Sequence, residues 1–138
     1  MQQPPLYLVS ACLLGLTCRY DGLSKPSATC LQVLKNSHWI PFCPEQLGGL
    51  PTPRPAAELV NGDGHAVLKG QAQVLQRDDH QDASDAFIRG ARQTLLLAQS
   101  QPVTAIFLKS RSPSCGVNGP MGVTAALLSE HGFSLREF

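Results

Sequence analysis

Short apolar runs alternate with amphipathic stretches along the 138-residue chain. The first run, Leu6-Tyr7-Leu8-Val9-Ser10-Ala11-Cys12, predicts a buried strand, since a strand covered on both faces needs no alternation. After Gly15, the segment Arg19-Tyr20-Asp21-Gly22 carries turn chemistry and predicts a loop. Ser24 to Ser37 places Leu31 and Leu34 at helical spacing, with Pro26 acceptable in a first turn. Trp39-Ile40-Pro41-Phe42-Cys43 predicts a second strand, ended by Pro44. The stretch Gly48-Gly49-Leu50-Pro51-Thr52-Pro53-Arg54-Pro55 is too rich in glycine and proline for a regular element and predicts an extended loop of restricted flexibility.

Glu58 to Gln76 predicts one or two short strands about a turn at Asn61-Gly62-Asp63-Gly64. The clearest helix runs from Asp82 to Gln101: Phe87, Ile88, Ala91, Leu95 and Ala98 share a face, and Asp82 or Ser84 can cap its start. Val103-Thr104-Ala105-Ile106-Phe107-Leu108 is the third apolar strand. It runs into Lys109-Ser110-Arg111-Ser112-Pro113-Ser114-Cys115-Gly116. Val123 to His131 predicts a last helix with a Gly132 cap, and Phe133 to Phe138 a closing strand. Residues through Pro5 have the character of a frayed end. Strands alternating with helices predict an α/β fold: a single domain over residues 1–138, with a small, mostly parallel sheet flanked by helices in three layers, Rossmann- or flavodoxin-like.

Composition narrows the function. Hydrophobic residues make up 43% and charged residues 15%, as in a globular chain with a true core. A net charge of +1 provides no strong field for capturing nucleic acid, though a small anion needs only local donors. The apolar runs are shorter than the ~20 residues of a membrane helix. Met1 to Pro5 lacks the basic region and long apolar stretch of a signal peptide, so a cytoplasmic location is expected.

Five cysteines then need a reason. They are odd in number and outside an export context, which disfavours a disulfide framework. Cys12, Cys43 and Cys115 each sit at the downstream end of an apolar strand, where open parallel sheets bind their ligands. Any one of them alone is more simply a buried core residue. Three at equivalent strand ends point instead to convergence, and thiolates favour iron–sulfur clusters, zinc or copper(I). Cys18, in a loop, and Cys30, in a helix, lack this placement and read as structural, with Cys18 a reserve ligand. Zinc is the rival metal, but paired C-x-x-C ligands are missing, and His38, His65, His80 and His131 lie away from strand ends.

Around these cysteines, Glu45 is either a solvated loop acid or a proton carrier bordering the cleft. Ser112 and Ser114 can bond the backbone of their turn, or position water or substrate. Lys109, Arg111 and Arg54 are the nearby cations that can meet a phosphate, although Arg54 can also be a surface charge.

At these residues the chain resembles the TudS-type thiouracil desulfidases, a family that includes YbbK-like proteins. The resemblance is carried by Val9-Ser10-Ala11-Cys12-Leu13-Leu14-Gly15, Cys18-Arg19-Tyr20-Asp21-Gly22 and Cys43-Pro44-Glu45-Gln46-Leu47-Gly48-Gly49-Leu50-Pro51-Thr52-Pro53-Arg54. Lys109 to Gly116 and Gly122-Val123-Thr124-Ala125-Ala126-Leu127-Leu128 complete it. It implies a 4Fe-4S cluster held by Cys12, Cys43 and Cys115, with one iron left open to the substrate's sulfur. It further implies hydrolysis of thiouracil or thiolated uridine nucleotides, with sulfide released and protons handled by Glu45 and Ser112. Arg54, Lys109 and Ser114 would then face the substrate. One departure stands out: only Val117-Asn118-Gly119-Pro120-Met121 joins Gly116 to Gly122, where family members carry a longer loop. The competing expectations are a cysteine-ligated metal-binding or redox-sensing module without turnover, and a cofactor-free α/β domain.

Overall fold

Four parallel strands make the central sheet, in the order β2-β1-β5-β6. They are β1 (Leu6–Ser10), β2 (His38–Phe42), β5 (Ala105–Leu108) and β6 (Leu135–Glu137). Between β2 and β5 lies a two-stranded antiparallel ribbon, β3 (Ala57–Val60) with β4 (Gln73–Gln76). The helices are α1 (Ala28–Val33), α2 (Pro44–Leu47), α3 (Gly64–Leu68), α4 (Ser84–Gln99) and α5 (Val123–Glu130). This computed structural model describes residues 3–138, so the frayed end expected at Met1 and Gln2 lies outside the described residues. Pro5 is tied down, its carbonyl accepting from the His38 amide at 2.9 Å.

Alternation within the strands explains the layers, because successive side chains point to opposite faces. Leu8, Ile106 and Leu108 pack on one face with Ala98 of α4 and Ala125 and Leu128 of α5. Their neighbours Val9 and Phe107 pack on the other, with Leu13, Cys30 and Leu34. Central strands buried on both sides are therefore apolar throughout, which is what made them visible in the sequence. A third cluster, Val67, Val74, Phe87, Ala91 and Val123, joins the ribbon and α3 to α4 and α5. The α/β class and the mostly parallel sheet are as expected. β2 accommodates Pro41 because it lies at the sheet edge.

The boundaries differ from the expected ones in instructive ways. The first helix starts at Ala28, not Ser24, because Ser27 takes the cap and accepts from the Cys30 amide at 3.1 Å. Pro26 therefore precedes the helix. The long helix begins at Ser84 with Ala83 at its cap position. Asp82 accepts from the Ser84 amide at 2.8 Å, while the Ser84 hydroxyl accepts from the Val74 amide of β4 at 2.9 Å. Asn61-Gly62-Asp63-Gly64 does not close a simple hairpin: Asp63 caps α3, which is inserted between β3 and β4. Pro44 ends a strand as expected, but also opens the one-turn helix α2.

Candidate functional site

β1, β2 and β5 lie side by side, and the chain leaving each one borders a single cavity of about 370 Å³ at the carboxyl edge of the sheet. Cys12, Cys18, Cys43 and Cys115 all line it, with Glu45, Arg54, Lys109, Arg111, Ser112 and Ser114. None of the four histidines does.

Each thiol is placed by a local device. Cys12 lies in a 3-10 turn, Ala11–Leu14, that continues β1. Gly15 closes that turn at φ 99°, a conformation that favours glycine. Cys43 is the cap residue of α2, with Pro44 at the first helical position and Glu45 next. Cys115 is held in a serine-built turn: the Ser112 hydroxyl accepts from the Ser114 and Cys115 amides at 3.2 and 3.1 Å. Behind that turn, the first amides of α5 bond the carbonyls of Pro113 and Ser114, so the helix start holds the loop in place. Ser10 links β1 to this loop, approaching the Cys115 sulfur at 3.5 Å and accepting from the Lys109 amide at 3.2 Å.

Cys18 is the residue that the spacing argument set aside. It packs with Ala11 and Cys12, and Cys43 lies against this group. Its signals in the sequence were its position six residues after Cys12 and its place at the head of the motif Cys18-Arg19-Tyr20-Asp21-Gly22. Cys30 behaves as expected, wholly buried in the core beneath the sheet. The thiols respond to their contacts. Hydrogen bonding from Cys18 pulls Cys12 below the usual thiol range despite its burial. The same contact pushes Cys18 up to about 11. Cys43 is raised by its hydrogen bond with Cys18 and by burial. Burial pushes Cys115 up to about 12, against hydrogen bonds from Ser10 and Ser114 that favour the thiolate.

A polar chain crosses the cavity wall. Arg54 Nε donates to Glu45 Oε1 at 3.0 Å, and the Ser114 hydroxyl donates to Glu45 Oε2 at 2.9 Å. Ser112 and Ser114 share a further hydrogen bond of 2.9 Å, and Ser114 Oγ lies 3.6 Å from the Cys115 sulfur. Glu45 is thus not a solvated loop acid, its side chain being only 15% exposed. Arg54 lines the same cavity from inside the protein. Its side chain is 4% exposed, and the remaining donors go to the Pro51 carbonyl, the Thr52 hydroxyl, the Cys18 carbonyl and the Cys43 sulfur. It is therefore not a surface charge, and its donors are engaged within the protein while it lines the cavity. Ser114, also expected at the substrate, is 1% exposed and turned to Glu45.

Cations border the rest of the cavity: Arg19, Lys25, Arg77, Lys109 and Arg111. Arg19 and Arg77 reach carboxylates, Asp21 at 3.9 Å and Glu58 at 3.6 Å. Lys25, Lys109 and Arg111 form no ion pair among the described residues. Burial lowers the Lys109 pKa from the ordinary lysine value, and its ammonium donates to the Ser110 carbonyl and hydroxyl.

The 2-thiouracil desulfurase family profile matches residues 7–137. The chain belongs to the 2-thiouracil desulfurase family. Among its relatives in that family, the uncharacterized protein YbbK of Bacillus subtilis (strain 168) is 37% identical over 140 residues, covering 93% of this chain and 92% of YbbK. A solved structure described as the 4Fe-4S-dependent thiouracil desulfidase TudS is 36% identical and superposes with a TM-score of 0.81. That superposition covers 96% of this chain and 90% of TudS, so the desulfurase fold is shared nearly end to end. Among the described residues no helix is long and apolar enough to cross a membrane.

Proposed function

We propose that this member of the family is a 4Fe-4S-dependent desulfidase, converting the thiocarbonyl of thiouracil or a thiolated uridine nucleotide to a carbonyl. One water enters and one sulfide leaves, so the reaction needs no electron donor. The observation that carries this reading is the meeting of Cys12, Cys43 and Cys115, from three separate strand ends, at one cavity that also holds Glu45. The family match and the TudS likeness support the same chemistry.

The donor set fits the cofactor. Soft thiolates hold iron–sulfur clusters, and hydrogen bonds to the sulfur, like those Ser10 and Ser114 offer Cys115, tune such sites. A lone zinc would gather its donors about 2.3 Å from one point. Paired C-x-x-C ligands, the common arrangement for such a site, are missing from the sequence, and none of the four histidines lines the cavity. In this reading Cys12, Cys43 and Cys115 hold the cluster, which supplies a Lewis-acidic iron for the thiocarbonyl sulfur.

The chain's own groups do the rest. Glu45, fixed through Oε1 by Arg54, presents Oε2 to Ser114 and exchanges a proton with the heterocycle or the attacking water. Ser112, bonded to Ser114, continues that path and orients water. Lys25, Lys109 and Arg111 border the cavity and form no ion pair among the described residues, which suits the phosphate of a thiolated nucleotide. Residues 1–138 act in this reading as one domain of the family, and the reduced thiols suit a cytoplasmic setting.

The test is anaerobic reconstitution with iron and sulfide, then incubation with 2-thiouracil, 4-thiouracil and 4-thiouridine monophosphate. Sulfide release and loss of thiocarbonyl absorbance are expected for at least one of them. A loaded cluster that releases sulfide from none removes the proposal.

A further inference from the structure

Among the described residues, Arg54 is the one buried cation lining the cavity. A guanidinium has five N–H donors in a fixed fork. Here five acceptors meet them: Glu45 Oε1 at 3.0 Å, the Pro51 carbonyl at 3.2 Å, Thr52 Oγ1 at 2.9 Å, the Cys18 carbonyl at 2.9 Å and Cys43 Sγ at 4.0 Å. The backbone completes the grip, since the Arg54 amide donates to the Tyr20 carbonyl at 2.8 Å. Three segments are joined at one group: the Cys18 loop, the Cys43–Glu45 turn and the Pro51–Thr52 loop.

We propose that Arg54 is a positioning residue that orients the Glu45 carboxylate toward Ser114 and pins the Cys18 loop against Cys43. This rests on the desulfidase reading above and adds to it a specific division of labour. Both Glu45 oxygens have partners, and among the described residues only Arg54 restrains the one turned away from Ser114. Without the fork the carboxylate can rotate, and a misplaced proton carrier costs rate even where substrate still binds. Lysine cannot replace it, because an ammonium has three donors and no planar fork.

Arg54→Lys, normalised to bound iron, is expected to lower kcat by tenfold or more while changing KM less than threefold. On a Glu45→Gln background the same substitution should cost less than threefold, because the two residues act as one unit. A second readout needs no cluster. In the iron-free, reduced protein, Arg54→Lys should speed iodoacetamide labelling of Cys18 and Cys43 severalfold, while fully buried Cys30 keeps its wild-type rate. If Arg54→Lys does not fold, Thr52→Val carries the test: it removes one acceptor of the fork and should lower kcat a fewfold, with no added loss beside Glu45→Gln. The proposal is overturned if the folded variant keeps wild-type kcat, if its loss is equal with and without Glu45, or if labelling of Cys18 and Cys43 is unchanged. A wild-type protein that binds no cluster, or turns over no thiopyrimidine, defeats the desulfidase reading instead and leaves the labelling result to judge the clamp.

Discussion

Ser112 and Ser114 are two residues apart, yet they have different surroundings. The Ser112 hydroxyl accepts from two amides and shapes the Cys115 turn, whereas the Ser114 hydroxyl spans from Glu45 to the Cys115 sulfur. No pattern in Ser112-Pro113-Ser114-Cys115 distinguishes these jobs, because they depend on which hydroxyl meets a carboxylate 69 positions away. Glu45 itself should show its role directly. Glu45→Gln is nearly isosteric but carries no exchangeable carboxylate, so turnover per loaded cluster should fall by about 10²-fold or more, as for other acid–base groups. Cluster absorbance should stay at the wild-type level, and unchanged turnover would remove Glu45 from the proton path. The cysteines separate in a similar way. Cys43→Ser should abolish stable cluster binding, seen as iron per chain. Cys30→Ser places a hydroxyl in an apolar core and should cost about 1–3 kcal/mol in urea unfolding, with iron content unaltered.

At the scale of elements, α2 is only one turn long and owes its place to α4. A Cβ on Gly90 would land on the Pro44 carbonyl, and one on Gly48 would land on the Ala86 carbonyl. The two helices thus touch through glycines, and Cys43 and Glu45 sit on the short one. Gly90→Ala should therefore lower stability by about 1–3 kcal/mol through overpacking. It should also reduce turnover per chain, because α2 must move to relieve the clash. Urea denaturation and initial rates check both, and retention of full activity with full stability would show that the contact tolerates a methyl group. The need for glycine at Gly90 was not legible in advance, since it sits in the middle of a helix with good apolar spacing. Gly48 was readable as a breaker. The strands were easier: Leu6–Ser10 and Ala105–Leu108 are flanked by helices on both sides, so burial itself wrote their apolar runs.

For the whole molecule, net charge and local charge diverge. The chain carries a formal +1, yet five of the six cations lining the cavity have no tie to Glu45, the one acidic residue lining it. A phosphorylated substrate should therefore respond to salt more than a free base does. Raising ionic strength to about 1 M, where the screening length is ~3 Å, should increase KM for 4-thiouridine monophosphate severalfold and leave KM for 4-thiouracil nearly constant. Lys25→Ala and Arg111→Ala should reproduce the difference at low salt. Equal shifts for both substrates would place the phosphate elsewhere, or show that none is recognised.

What the sequence determined by itself was the layered α/β plan and the three cysteines at strand ends, because burial on both faces and strand termini leave local marks. The family resemblance lay in contiguous motifs and was equally local. Only the tertiary structure decided that Cys18 joins the cavity, that Arg54 is an internal clamp, and that Ser114 faces Glu45. Those outcomes depend on which loops meet once the sheet has formed, and contacts between segments 36 or 69 positions apart have no periodicity to read.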